Sequence, residues 1–172
     1  MAALATAFNR VATMNESMVR EMLRVERVVG REGRMNERAS LADANPPGTK
    51  LTITGIVYTA DCKPVAHALL DFWQADASGA YDNSGYNLRG HQYTDASGHY
   101  QLTTVVPGLY TGRTEHIHVK VQAPNGQLIT TQLFFPGVAQ NDSDGIYNPA
   151  LLLALQQGSG GDQAQYNFVI PA

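Results

Sequence analysis

A succession of short, strand-like segments limits what this chain can fold into more than any other feature. From Lys50 onward, apolar and β-branched residues alternate or cluster in short runs, about ten residues apart and separated by DASG, PG and PNG turns. No helical period lies between them, so the pattern predicts a mainly β fold, an antiparallel β-sandwich. The predicted strands are KLTITGIVYT (50–59), HALLDFWQA (67–75), HYQLTTVV (99–106), EHIHVKVQA (115–123), LITTQLFF (128–135) and QYNFVI (165–170), the last preceded by a short helix within NPALLLALQQGSGG (148–161).

The N-terminal part of the chain has a different pattern. Apolar residues recur there at helical spacing, which predicts an amphipathic helix over residues 1 to about 28. The following GREGRMNERASLADANPPG (30–48) is rich in glycine, proline and charge, as linkers are. We therefore predict a helical arm and linker over 1–47, a β-sandwich domain over 48–172, and a possible homodimer through the helix. The apolar residues of this helix are Leu4, Phe8, Val11, Met18, Met22 and Val25.

Charge and composition exclude several classes of partner. A net charge of −3 gives no electrostatic reason to expect a nucleic acid or an anionic membrane as partner. No apolar run is long enough to cross a bilayer. A single cysteine, Cys62, leaves no intrachain disulfide to form. The cellular compartment stays open, because a removed export signal leaves no trace.

The stretch GRTEHIHVKV (112–121) contains two histidines on one predicted strand. Side chains alternate between the faces of a strand, so His116 and His118 point the same way, roughly 6.5 to 7 Å apart along it. Two imidazoles so placed can bind one metal ion, although a solvated sheet face is the simpler interpretation. Tyr81 and Tyr110 follow Gly-containing turns at strand ends, where sandwich folds carry function, and Tyr110 is close to the histidines in sequence.

These motifs resemble those of the intradiol ring-cleavage dioxygenases, the family of catechol and protocatechuate dioxygenases, and above all its short single-domain members. The resemblance covers roughly residues 48 to 170, and its most specific part is P-G-x-Y ahead of R-x-x-H-I-H. The family fold is a β-sandwich, in agreement with the strand pattern. The segments that carry the resemblance are GTKLTITGIVYTADCKPVAHALLDFWQADASGAYDN, LRGHQYTDASGHYQLTTVVPGLYTGRTEHIHVKV and ITTQLFFPG.

The resemblance implies one non-haem ferric ion per chain. Its ligands would be Tyr81, Tyr110, His116 and His118, with Tyr110 and His118 axial. Two phenolates are hard anionic donors that favour Fe(III), whereas a ferrous oxygenase typically uses two histidines and a carboxylate. The resemblance also implies that Arg113 stabilises negative charge on the substrate ring, and that Gln132 lies near the reacting carbons.

The implied reaction is cleavage of a catechol-type ring by O2 between its two hydroxylated carbons, giving a cis,cis-muconate-type diacid. Two features depart from the family or lie outside its motif. Relatives have a G-P-aromatic segment ahead of the first strand, and REGRMNERASL offers no such aromatic residue. NDSDGIY (141–147) hints at a calcium loop but lacks the ligand-spaced aspartates and the terminal glutamate. We expect no catalytic role for His67, His91 or His99.

Two other classes of function remain open from the residues alone. One is a non-catalytic β-sandwich module that binds carbohydrate or protein. The other is a zinc or copper protein that uses the histidine pair with one tyrosine. The preferred catechol and the oligomeric state are not fixed by the sequence.

Overall fold

The structure is a computed structural model, and it describes residues 39–42, 45–110 and 112–171. The predicted N-terminal helix and its homodimer contact lie outside these residues, and the domain boundary near residue 47 stays a prediction. The described part of the chain forms ten strands and two 3₁₀ turns, Ala139–Asp142 and Pro149–Leu151. The strands are β1 (Ala39–Ser40), β2 (Lys50–Thr59), β3 (Leu69–Gln74), β4 (Arg89–Tyr93), β5 (His99–Val105), β6 (His116–Gln122), β7 (Ile129–Phe134), β8 (Ala154–Gln156), β9 (Asp162–Gln165) and β10 (Phe168–Ile170).

The strands form two sheets. The first contains β1, β5, β2, β9 and β8 in that order, and β10 also pairs with β2. The second contains β4, β3, β6 and β7, and all of its pairs are antiparallel. The prediction of an antiparallel sandwich holds for the second sheet but not throughout the first, since β1 runs parallel to β5 and both β9 and β10 run parallel to β2. These short strands reach their partners through long connections rather than hairpins, which permits parallel pairing.

One hydrophobic core receives side chains from both sheets. Residues at alternate positions of each strand point into it, as period-2 alternation requires. The mainly β prediction is therefore confirmed, and the two sheets around a shared core are consistent with a β-sandwich. Core residues with no exposed surface include Leu51, Ile53, Val57 and Leu102 of the first sheet and Leu70, Phe72, Ile117, Val119, Val121 and Leu133 of the second.

Five predicted strands match β2, β3, β5, β6 and β7 to within two residues at each end. Strand β4, RGHQY, was not predicted, because its residues are polar and only Gln92 is buried. The predicted C-terminal helix is the single 3₁₀ turn Pro149–Leu151, which begins at a proline and is followed by β8. No helix among the described residues is long and apolar enough to span a membrane.

The face of β6 that points away from the core carries two of the predicted site residues. Ile117, Val119 and Val121 are buried in the core, so His116 and His118 occupy the opposite face. His118 pairs in register with Trp73 of β3 on one side and with Gln132 of β7 on the other. A row of functional side chains therefore crosses three adjacent strands.

Candidate functional site

The two histidines of β6 converge on one point. Their Nε2 atoms lie 3.1 Å apart, and the rings are nearly perpendicular to each other. The other ring nitrogen of His116, Nδ1, lies 2.6 Å from the carbonyl oxygen of Thr114, which fixes the orientation of this buried ring. The pair is therefore preorganised, with both Nε2 atoms directed at the same place.

Neighbours on both adjacent strands hold the ring of His118. The Trp73 indole stacks on it with centroids 4.7 Å apart and an interplanar angle of 3°. The Lys120 ammonium lies 5.4 Å from the centre of the Trp73 ring, within cation–π range. On the other side, Gln132 Nε2 is 3.3 Å from His118 Nδ1. These contacts restrict rotation of the imidazole.

Tyr81 joins the histidines from the loop after β3. Its hydroxyl oxygen lies 3.2 Å from His116 Nε2, and the side chain is half-buried. The loop is shaped by Asp76, whose Oδ1 accepts hydrogen bonds from the backbone N–H groups of Ser78 and Ala80. These bonds close the turn that leads directly into Tyr81.

Tyr110 approaches Tyr81 from the loop after β5. The two rings meet edge to face, with centroids 5.4 Å apart, and the Tyr110 side chain is 45% exposed. The loops touch at Gly79, where a Cβ atom would lie 2.0 Å from the carbonyl oxygen of Leu109. Gly79 also has a φ of +84°, so only glycine fits at this crossing. Close packing of the two loops places the Tyr110 ring against Tyr81, which itself contacts the histidine pair.

Arg113 and Gln132 extend the site on the side of His118. The Nη2 of Arg113 donates to Gln132 Oε1 at 2.7 Å, and its Nε donates to Asp144 Oδ2 at 2.9 Å. Burial alone would raise the pKa of Asp144. The carboxylate accepts hydrogen bonds from the Thr114 N–H, the Ile146 N–H and Arg113, and these outweigh burial and hold the pKa below its ordinary value. The carboxylate is therefore charged at neutral pH and forms an ion pair with the guanidinium.

The electrostatics favour neutral side chains at the centre of the site. Burial, the neighbouring His116 and the Arg113 and Arg89 guanidiniums lower the pKa of His118 to about 4. Burial also lowers the pKa of His116, although its bond to the Thr114 carbonyl opposes this. Burial raises the pKa of Tyr81, against the attraction of the two guanidiniums. Both imidazoles are in the neutral form that binds metals, and a phenolate at Tyr81 requires a cation beside it.

These histidine pKa values predict a pH dependence for protein stripped of metal by a chelator. Below about pH 6.5, the unfolded chain binds protons at its histidines while the folded state resists them. The free energy of unfolding should therefore fall as the pH drops from about 6.5 toward the His118 pKa of about 4. Urea unfolding across this range measures the slope, which His118→Asn should reduce. An unchanged slope in His118→Asn contradicts the prediction.

The donor set fits a ferric ion. The Tyr81 hydroxyl oxygen lies 3.2 Å from His116 Nε2, which lies 3.1 Å from His118 Nε2, and the phenol ring of Tyr110 packs against Tyr81. Neutral nitrogen donors combined with ionisable oxygen donors suit a hard trivalent cation. The family resemblance implied these four residues together with Arg113 and Gln132, and contacts in the structure link all six into one cluster. His67, His91 and His99 are exposed elsewhere on the surface.

Sequence reasoning missed several residues of the site. Trp73 was part of a predicted buried strand, and alternation from Leu70 and Phe72 could have placed it on the outer face with His118. Asp144 lies in the NDSDGIY segment, where only a weak calcium signal was visible. The segment before β2 borders a cavity of about 350 Å³ beside Tyr81. The residues from that segment are Leu41, Pro46 and Pro47.

Comparison with known proteins gives a consistent result. Residues 28–169 match the family model described as Dioxygenase. Catechol 1,2-dioxygenase 2 of Acinetobacter lwoffii is 35% identical over 58% of this chain and 44% of its own length. The protocatechuate 3,4-dioxygenase beta chain of Burkholderia cepacia is 30% identical over 57% of this chain and 49% of its own. The chain thus spans about half the length of these curated relatives.

One solved structure matches this chain over a larger share of both sequences than these relatives do. It is the dioxygenase domain of a dioxygenase–carbohydrate-binding protein fusion from Streptomyces sp. SirexAA-E. The two share 49% identity with a TM-score of 0.76, over 78% of this chain and 88% of that one. Together with the family match, this shows that the chain belongs to the intradiol ring-cleavage dioxygenase family.

Proposed function

We propose that this protein is a non-haem ferric dioxygenase that cleaves a catechol-type ring with O2 between the two hydroxylated carbons. The observation that carries the proposal is the convergence of the Tyr81 hydroxyl with the Nε2 atoms of His116 and His118, beside Tyr110, in a member of this family. The product is a cis,cis-muconate-type diacid. The substrates are a catechol-type small molecule and O2.

One ferric ion per chain would be held by Tyr81, Tyr110, His116 and His118. When bound, it supplies the electron acceptor through which a catecholate becomes reactive towards O2. The two neutral imidazoles described above would bind the ion through their nitrogens. Tyr81 would provide a phenolate, whose negative charge the cation would stabilise. Tyr81 is half-buried against His116, so it is suited to remain bound throughout the reaction.

Tyr110 is suited to a different role. Its side chain is 45% exposed, so it can move aside when a substrate arrives. A catechol must lose its protons as it binds, and a departing Tyr110 phenolate is a base within reach. The Tyr110 hydroxyl oxygen would thus accept one substrate proton and keep it while the ring reacts.

Arg113 and Gln132 act on the substrate from the His118 side. The guanidinium is fixed by Asp144 and Gln132, so its positive charge has one orientation before the substrate binds. A fixed cation in a partly desolvated site stabilises negative charge that develops on the ring. Gln132 orients both Arg113 and the His118 ring.

The aromatic ring of the substrate needs an apolar surface near Tyr81. The cavity of about 350 Å³ beside this residue has an apolar wall of Leu41, Pro46, Pro47 and Leu88, and its polar lining residues are Asp76, Asp82 and Asn87. Apolar side chains of this kind exclude water and bind a ring by dispersion and area burial. They would take the place of the aromatic residue that relatives have ahead of the first strand.

The position of ring cleavage tests the proposed function. With catechol and O2, the purified protein should yield cis,cis-muconate, identified by its absorbance and by mass spectrometry. A yellow semialdehyde would indicate extradiol cleavage by ferrous iron, and the assignment of paired tyrosinate ligands would then be wrong. Oxygen uptake with a panel of substituted catechols would identify the preferred substrate. No oxygen uptake with any catechol would favour a binding module instead.

A further inference from the structure

The segment Asn141–Ile146 contacts the site in a way that its calcium-like sequence does not suggest. Its central residue, Asp144, has a side chain that is 1% exposed. Oδ2 of Asp144 accepts hydrogen bonds from Arg113 Nε at 2.9 Å and from the Thr114 backbone N–H at 3.0 Å, and Oδ1 accepts from the Ile146 N–H at 3.1 Å. A buried carboxylate with three donors is fully satisfied and rigid.

A continuous hydrogen-bonded path leads from Asp144 to the candidate metal ligands. Arg113 donates to Asp144 through Nε and to Gln132 through Nη2, and Gln132 lies 3.3 Å from the His118 ring. A second branch runs through Thr114, whose N–H donates to Asp144 and whose carbonyl lies 2.6 Å from His116 Nδ1. The two branches end on different histidines.

Asn141 reinforces the second branch. Its Oδ1 accepts a hydrogen bond from the Thr114 hydroxyl at 2.6 Å, and its Nδ2 donates to the Phe135 carbonyl at 2.9 Å. Residues 113 and 114 are thus attached to the Asn141–Ile146 segment at three points. An arginine side chain has many rotamers. The hydrogen bonds from its guanidinium to Asp144 and Gln132 select one of them.

We propose that Asp144 is a positioning residue for the reaction, acting through Arg113. It holds the guanidinium by its Nε edge so that Nη2 reaches Gln132 and the charge faces the substrate. This inference rests on the proposed function, in which Arg113 stabilises negative charge on the ring. Without Asp144, the arginine keeps its charge but loses its fixed orientation.

A double-mutant cycle in the iron-loaded protein tests this role. Asp144→Asn should lower kcat on catechol by about 10- to 100-fold, the effect of losing a hydrogen bond to a charged group, with KM changed by less than about threefold. Arg113→Gln should also lower kcat. In the Arg113→Gln background, adding Asp144→Asn should cost no more than about twofold, because the group it positions is already gone and the asparagine amide oxygen can still accept from the Thr114 N–H. A purely structural Asp144 would lower kcat by the same factor in both backgrounds, which would overturn the proposal.

Asp142→Asn is the matched control, since it makes the same change at an exposed residue of the same segment. It should leave kcat unchanged. If Asp144→Asn does not fold, the Arg113→Lys variant is tested in its place. Lysine keeps the positive charge but cannot hydrogen-bond to both Asp144 and Gln132 in the geometry of the guanidinium. Arg113→Lys should lose most of the kcat that Arg113→Gln loses, and full activity in this variant would contradict the proposal.

A measurement on chelator-stripped, ¹⁵N-labelled protein gives a readout that does not depend on turnover. The Arg113 Nε proton should exchange slowly with solvent in the wild type and in Asp142→Asn, and rapidly in Asp144→Asn. Rapid exchange in the wild type would show that the arginine is not held, and the proposal would fail. Absence of catechol cleavage by the wild type would overturn the proposed function instead, so the two failures are distinguishable.

Discussion

Replacing His118 with alanine should abolish both iron retention and turnover. The imidazole contributes one of the two Nε2 atoms that meet at 3.1 Å, and Trp73 and Gln132 already hold its ring in place. Removing a partner outside the ligand set of a metal site typically costs about 10- to 100-fold in metal affinity, so loss of a ligand should exceed this. Iron content by elemental analysis and oxygen uptake with catechol measure the two effects.

His99→Ala is the control for this experiment. His99 begins β5 in the other sheet, and its side chain is exposed. The variant should keep full iron content and full turnover. Retention of iron by His118→Ala would show that the ligand set is wrong, and loss of iron from His99→Ala would show that the metal binds elsewhere. A zinc or copper content in the wild type would favour the alternative metal site.

The sequence predicted the residues of the site better than it predicted their neighbours. Alternation on one strand is enough to put His116 and His118 on one face, because the side-chain period of a strand is two. The short spacing from Tyr110 to His116 likewise predicted one site, and the structure links the two residues through Tyr81. Asp144 could not be placed this way, since it approaches Arg113 from 31 residues further along the chain through a loop. Loops carry no hydrophobic period that fixes where a side chain points.

The fold shows the same division between local and long-range information. Strands with strong apolar patterns, such as β2 and β6, were predicted almost to the residue. Strand β4 was missed because hydrogen bonding to β3, rather than its own composition, makes it a strand. The parallel pairing of β9 and β10 with β2 is a property of chain connection, which local patterns do not encode.

The environment of the tyrosines explains why they should behave differently. Tyr81 is half-buried with its hydroxyl 3.2 Å from His116 Nε2, whereas Tyr110 is 45% exposed in the loop between β5 and β6. Burial raises the pKa of Tyr81, so its phenolate form depends on a bound cation. A ligand held on several sides has little freedom to leave. Under the proposed function, Tyr110 is therefore the ligand that a catechol would displace.

Visible spectra of the two tyrosine variants under anaerobic catechol should separate these roles. Tyrosinate bound to Fe(III) absorbs visible light, so the wild type should be reddish. Tyr110→Phe should still form a substrate complex that retains the tyrosinate band, because Tyr81 stays bound, while turnover slows by about 100-fold through loss of the base. Tyr81→Phe should lose the band in its substrate complex and bind iron less tightly in every state. If the Tyr110 variant loses the band in its substrate complex and the Tyr81 variant keeps it, the two roles are reversed.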